Sequence, residues 1–290
     1  MSILEHKIDF AAILTVNHAN PNGDPLSDNR PRQCNDGIGE ISDVCIKRKL
    51  RNRMMDLGLP VFVQSDDRKI DGYKSLRDRA NGQSALKKAE KEKNSEAYAK
   101  VACELWADVR SFGQLFAVKD KQNKAEKKES GEKGLSIGIR GPVSLHPAFS
   151  IAPIEIIETQ ITKSVNGATE DGRGSDTMGM KYRVDRSVYV LFGSISCQLA
   201  EKTGFTEEDA ENLHSCLNTL FENDLSSARP EGSMEVAETF WWTHNCKSGQ
   251  YSTAQIHRAM TVNPIDAAPY YEVNLRPLDG LTLDHYVTAL

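Results

Sequence analysis

Chemically capable side chains gather early, in the run HANPNGDPLSDNRPR at 18–32. Asn20 and Asn22 offer amide donors and acceptors, and Arg30 and Arg32 offer planar forks suited to phosphate. The run IKRKLRNR follows close behind and supplies Lys47, Arg48, Lys49, Arg51 and Arg53. A basic helix face beside such a loop fits a track for a nucleic-acid backbone. The plainer reading is a solvated amphipathic helix whose charges serve solubility. Asp24 and Asp28 could hold a divalent cation, although loop carboxylates usually make turns and caps. Further on, a turn-rich piece at 162–180 is flanked by Lys163, Lys181, Arg183 and Arg186, with Met178 and Met180 in its glycine-rich end. Methionines placed there could wedge against bases or touch a neighbouring protein.

Enzyme signatures are missing. GEKGLSIGIRG has glycines without GxxxxGK[ST], and no GxGxxG follows a strand. HExxH, GxSxG and a paired HxE with PCxxC do not occur. Two His-x-Cys pairs exist, His214/Cys216 and His244/Cys246; the first lies on a predicted helix, where i and i+2 face apart, and two copies of so short a pattern occur often by chance. No metal or cofactor is expected. The six cysteines form no CxxC pair and read as reduced thiols of a cytoplasmic protein. With 36 Lys+Arg against 41 Asp+Glu the net charge is -5, so bulk charge does not coat nucleic acid; a local basic face remains open. Apolar runs fall far short of the roughly 20 residues that span a bilayer. Glu5, Lys7 and Asp9 stand where a signal peptide would carry its apolar core.

These side chains need a scaffold. Alternation predicts a central strand over 7–16, then a loop of about 20 residues, longer than ordinary connections. Ser42 caps a helix that Gly58 ends, with Ile46, Leu50, Met54 and Leu57 as its buried stripe. Lys47, Arg48 and Arg51 fall opposite that stripe, and Lys49 and Arg53 flank it. A short strand is predicted at 59–64, helix from Leu76 to Ala117, and a mobile charged loop at 119–134. Strands follow at 135–146, 150–163 and 182–198. Thr206 opens a capped helix with stripe Ala210, Leu213, Leu217 and Leu220, and strands follow at 235–244, 255–263 and 271–278. Taking 7–16, 43–57, 150–163, 182–198, 206–223 and 235–243 as core elements yields β-α-β-β-α-β, an α+β ferredoxin-like arrangement. The elements between 60 and 146 then form one large insertion. Other α+β layouts accept the same elements.

Several segments carry a resemblance: HANPNGDPLSDNRPR (18–32), SDVCIKRKLRNRM (42–54), DVRSFGQLFA (108–117), IRGPVS (139–144) and MGMKYRVDRSVYVLFG (178–193). Together they resemble the CRISPR Cascade backbone subunit of subtype I-C, a family that binds guide RNA in repeated copies. NPNGDP and DVRSFG are the more specific pieces. The resemblance implies a modified RNA-recognition-motif palm with an inserted helical fingers region and a thumb between strands. Mapped here, 1–59 is the first part of the palm, 60–134 the fingers, 135–163 palm, 164–181 the thumb, and 182–290 the remaining palm and C-terminal strands. It also implies the partners: guide crRNA, target DNA through the guide, further copies of the chain, and the crRNA-processing, large and small Cascade subunits. Expected RNA contacts are Asn20, Asn22, Arg30, Arg32, Lys47, Arg48, Lys49, Arg51, Lys163, Met178, Met180, Lys181 and Arg183. Type I backbone subunits are non-catalytic. Related RNA-targeting subunits cut with a loop aspartate, and Asp24 falls in a comparable region. A structural protein without nucleic acid is the other alternative.

Overall fold

The computed structural model describes residues 2–117, 136–162 and 178–288. Strand β1 (Ile8–Ala19) buries Phe10, Ala12, Leu14 and Val16 on one face and Ala11 and Ile13 on the other, as a doubly covered central strand must. The loop after it holds two-residue strands β2 (Gly23–Asp24) and β3 (Arg30–Pro31), then β4 (Ile38–Ile41). Helix α1 (Asp43–Asp56) begins where Ser42 accepts from the Cys45 amide. Helices α2 (Leu76–Gly82), α3 (Ser84–Lys91), α4 (Ser95–Leu105) and α5 (Ala107–Phe112) lead to strands β5 (Gly113–Ala117) and β6 (Ser136–Arg140). Strands β7 (Val143–Leu145), β8 (Ala148–Pro153), β9 (Ile156–Thr162) and β10 (Met178–Ile195) follow. Helices α6 (Cys197–Thr203) and α7 (Glu207–Asn218), strand β11 (Met234–Thr243), helix α8 (Thr253–Ala259) and strands β12 (Met260–Pro264), β13 (Tyr271–Leu275) and β14 (Thr282–Val287) complete the chain.

The fold is mixed α and β. Its main sheet has the order β14-β11-β1-β10-β8-β4, with β7 and β9 also pairing β10. Every pairing in it is antiparallel. On one face α1 and α7 pack Ile46, Leu50, Leu213 and Leu217 against Phe10, Leu14 and Leu191. On the other, α8, β12 and β13 cover Ala11, Ile13, Phe240 and Trp242. A third core joins Phe62, Leu86, Tyr98, Trp106 and Phe116, so the residues between α1 and β6 bury their own apolar set.

Several expected elements differ. Residues 59–64 form no strand, because side chains take the backbone groups that a ladder would use. The Asp108 carboxylate accepts from the amides of Phe62 (2.7 Å) and Val63 (3.1 Å). Arg79 and Arg48 donate to the carbonyls of Phe62 and Val63. The single helix expected over 76–117 is four helices and a strand. It breaks at Gln83, at Lys93 (φ 52°), at Trp106, and at Gly113 (φ 80°), where a Cβ would lie 2.2 Å from the Ile139 carbonyl oxygen. The strand expected over 150–163 is divided between β8 and β9. The strand expected at 255–263 starts as α8, because Ser252 and Gln255 form a reciprocal capping box. The expected loop segment 119–134 lies outside the described residues.

Two buried carboxylates generate predictions. Asp108 is fully buried and also receives Arg51 Nε at 2.8 Å. Asp108→Ala strands that guanidinium and two amides, so a loss of about 3–5 kcal/mol is expected in urea unfolding. Asp9, also fully buried, is bonded to His244 Nε2 and Lys7 Nζ at 2.8 Å each. Burial raises the Asp9 pKa, but hydrogen bonds from His244, Lys7 and Thr253 together hold it below the ordinary 3.8. A depressed carboxyl contributes stability that is complete above about pH 4 and is lost as pH falls through the folded value. Thermal melts across the acid range should therefore show a shallower acid-dependent decline for Asp9→Asn than for the parent chain.

Candidate nucleic-acid interface

The first loop is organised from its own side chains. Asn22 Oδ1 accepts from the Ser42 amide (3.0 Å) and hydroxyl (2.8 Å), tying the loop to the start of α1. Asn20, buried, donates through Nδ2 to the Asn29 carbonyl at 2.7 Å, and its amide donates to the Ala228 carbonyl at 2.9 Å. Asp28 and Asn29 adopt left-handed φ values of 50° and 59°, which these two residue types tolerate. Gly23 is required by close approach, since a Cβ there would lie 2.0 Å from Asn29 Oδ1. Asp24 accepts from the Leu26 amide (3.2 Å) and the Ser27 hydroxyl (3.0 Å), and Arg32 stands 3.7 Å away. The Leu26 bond first and the Ser27 bond second hold its pKa below 3.8. Asp24 thus shapes the loop.

Opposite the loop rises a two-stranded ribbon. β9 pairs with β10 from Thr162↔Met178 to Ile156↔Val184, whereas the pairing of β1 with β10 stops at Ala19↔Val184. The ribbon therefore runs past the end of β1. Strand alternation sets Met178, Met180 and Tyr182 on one face and Lys181 and Arg183 on the other. Met178 is 65% exposed and Met180 48%, with Ile161 nearby on the partner strand and exposed too. The methionines belong to a strand and not to a glycine-rich tip as expected. Arg30 pairs with Glu158 of β9 and lies over the Tyr182 ring, 4.6 Å from its centroid.

The loop and ribbon enclose a cleft lined by Asn20, Asn29, Met180, Lys181 and Tyr182, with Ala228 at its edge. A second cleft beside it is lined by Asp24, Arg30, Arg32 and Gln33 together with Ile154 and Ile156. The fold thus brings Asn20, Arg30, Arg32, Met180 and Lys181 to one place. Lys163 and the thumb residues up to 177 lie outside the described residues.

The basic helix is elsewhere, and its charges serve a different purpose. Lys49 is only 3% exposed and pairs with Asp224, while burial lowers its pKa against the pull of that carboxylate. Arg51 pairs with Asp108 and stacks over Phe112. Arg48 donates to the Val63 carbonyl, and burial lowers its pKa as well. Arg53 reaches Thr219 and Glu222. Lys47 bonds Asp43 one turn back, at 3.0 Å. The expectation of a free basic face is therefore corrected for Arg48, Lys49 and Arg51. Residues 61–63, α5 and the turn at 219–224 cover the side of α1 that periodicity assigns to solvent. One sequence signal pointed to this: Asp108 stands alone among Trp106, Ala107 and Val109, where a carboxylate requires a cationic partner. Tyr182, which the sequence reading passed over, is legible only as part of the Met178–Met180 face.

Among the described residues no group of three or more His, Cys, Asp or Glu side chains is placed to hold a metal ion. His244 is bonded to Asp9, and His214 stacks on Trp241.

The family described as "CRISPR-associated protein Cas7" matches residues 6–276. The chain belongs to that family. It is 27% identical over 229 residues to a "CRISPR-associated protein Cas7" of Haloferax volcanii, covering 77% of this chain and 66% of that relative's length. Among solved structures, a chain of a "CRISPR RNA-guided surveillance complex, pre-nicking" matches at 16% identity with a TM-score of 0.46, over 81% of this chain and 78% of the other. A chain of a "CRISPR RNA-guided surveillance complex" matches at 16% identity and a TM-score of 0.41, over 94% and 77%.

The ion pairs of α1 separate two kinds of lysine in this Cas7-family chain. Lys49→Ala leaves Asp224 with Arg229 at 3.1 Å as its remaining cation and is expected to cost about 1–3 kcal/mol in urea unfolding. Lys47→Ala removes a partly exposed i,i+4 pair and should change the unfolding free energy by about 0.5 kcal/mol or less.

Proposed function

We propose that this chain is a non-catalytic backbone subunit of a CRISPR type I-C Cascade surveillance complex. In this reading it oligomerises along guide crRNA and leaves the guide bases open to pair with target DNA. Its further partners are copies of itself and the crRNA-processing, large and small subunits, in the cytoplasm. The observation that carries the reading is the juxtaposition, in a Cas7-family chain, of the arginine loop with the exposed Met–Lys end of β10. Arginines and lysines at a cleft rim suit phosphates, and exposed methionines on a projecting ribbon suit unstacked bases. Arg30 is held by a surface pair with Glu158, of a kind worth about 0–1 kcal/mol, which yields readily to a phosphate.

The same reading names the parts. The strand order β11-β1-β10-β8 is that of a four-stranded split-βαβ unit, which supports a modified RNA-recognition-motif palm. The separate core around Phe62, Trp106 and Phe116 supports a fingers region at 60–134, and the β9–β10 ribbon supports a thumb that includes 164–181. The engagement of Asp24 with Leu26, Ser27 and Arg32 supports a loop-shaping carboxylate over a metal-holding one. RNA contacts are assigned to Arg30, Arg32, Lys181 and Arg183 with Met178 and Met180, and Lys163 is included from the sequence.

Particle mass measured on RNAs of increasing length is expected to rise in regular steps, because a non-closing head-to-tail interface adds one copy at a time. Incubation of the assembled particle with complementary RNA and Mg²⁺ is expected to leave that RNA intact. A fixed mass at every RNA length would sink the backbone reading. Regularly spaced fragments that vanish in Asp24→Asn would move the chain to the RNA-cleaving class.

A further inference from the structure

We propose that the cleft between the first loop and the β9–β10 ribbon reads the ribose 2′-hydroxyl of the bound strand, with Asn20 Oδ1 as the accepting atom. This rests on the RNA-carrying reading above and adds to it the group that selects RNA over DNA.

Asn20 follows the last residue of β1 and is 3% exposed. Its amide group is oriented by a committed donor, since Nδ2 bonds the Asn29 carbonyl at 2.7 Å. Oδ1 is left as an acceptor. Among the described residues it meets no donor, although it is buried. Buried carbonyl oxygens without a partner are few in folded proteins, and each calls for a donor from somewhere. Asn20 lines the cleft, and the neighbouring lining side chains are Met180 and Lys181, both exposed. A ligand seated in this cleft is placed to supply the donor that the described residues do not.

The chemistry of the missing donor narrows the ligand. A phosphodiester only accepts, so it satisfies Arg30, Arg32 or Lys181 and never Oδ1. Base amino groups donate, but they change with sequence, and a subunit that carries any guide needs a contact that every nucleotide offers. The 2′-hydroxyl is such a donor: each ribonucleotide has one and DNA has none. Asn20 then supplies the acceptor, and Met180 with Tyr182 an apolar flank for the sugar.

The test uses the full chain freed of bound nucleic acid and fluorescence anisotropy with single-stranded oligonucleotides of one sequence. The probes are RNA, 2′-fluoro RNA and DNA. The 2′-fluoro strand retains an RNA-like sugar and removes only the donor. The parent chain should bind RNA several-fold more tightly than 2′-fluoro RNA. Asn20→Ala should bring that ratio close to one. Equal affinity of the parent chain for RNA and 2′-fluoro RNA overturns the proposal, even if Asn20→Ala fails to fold. A preference that survives in Asn20→Ala also overturns it. Both results leave RNA carriage standing, whereas binding of none of the three strands removes RNA carriage and this inference together.

Discussion

A strand of 18 residues, at about 3.3 Å per residue, is long enough to serve two surfaces, and β10 does so. From Val184 to Ile195 it lies against β1 and completes the central sheet. From Met178 to Val184 it lies against β9 and leaves the sheet behind. The position of the candidate interface depends on this one register. A slip of one residue would turn Leu191 and Ile195 away from the core and exchange the methionine face of the ribbon for the lysine face. Gly193 helps to hold the register, because a Cβ there would lie 2.2 Å from the Phe10 ring.

Charge is partitioned along the same division. The molecule is acidic overall, yet its densest basic run is spent on the buried Asp108, the partly buried Asp224 and the exposed Glu222. A buried charge is tolerated only with a partner and further hydrogen bonds, so α1 becomes a set of staples between the sheet, the inserted helices and the turn after α7. Beside the candidate cleft the cationic side chains are set on the loop and ribbon.

The first loop carries the remaining constraint. It is long, but Asn22, Asn20, Asp24 and the left-handed Asp28 and Asn29 supply bonds that an ordinary loop would seek from solvent. Its shape is therefore set before any ligand arrives. Preorganisation of this kind lowers the ordering cost of binding and makes a single unpaired acceptor in its wall stand out.

Local patterns carried much of this. The alternation over 8–16, the stripe Ile46–Leu50–Met54 and the Thr206 cap of α7 are short-range features, and periodicity and capping chemistry reveal them without reference to the rest of the chain. The motif run at 18–32 was likewise legible as a functional loop, because its residue types have little use in a core. What periodicity could not supply was the occupant of each remaining face. It marked Lys47, Arg48 and Arg51 as opposite the buried stripe, but whether that side meets water or another layer depends on where residues 61–63 and α5 come to rest. The same holds for 59–64, where strand propensity lost to side chains from Asp108, Arg79 and Arg48, which are distant in sequence. β14 was invisible for a related reason: it is stabilised by its pairing with β11 while its side chains stay exposed, so no alternating apolar pattern marks it. Local sequence set the central strand β1, the capped helices α1 and α7, and where the loop chemistry lies. Only the tertiary structure decided which charges are buried and which are free, because pairing between distant residues sets the solvation of each one.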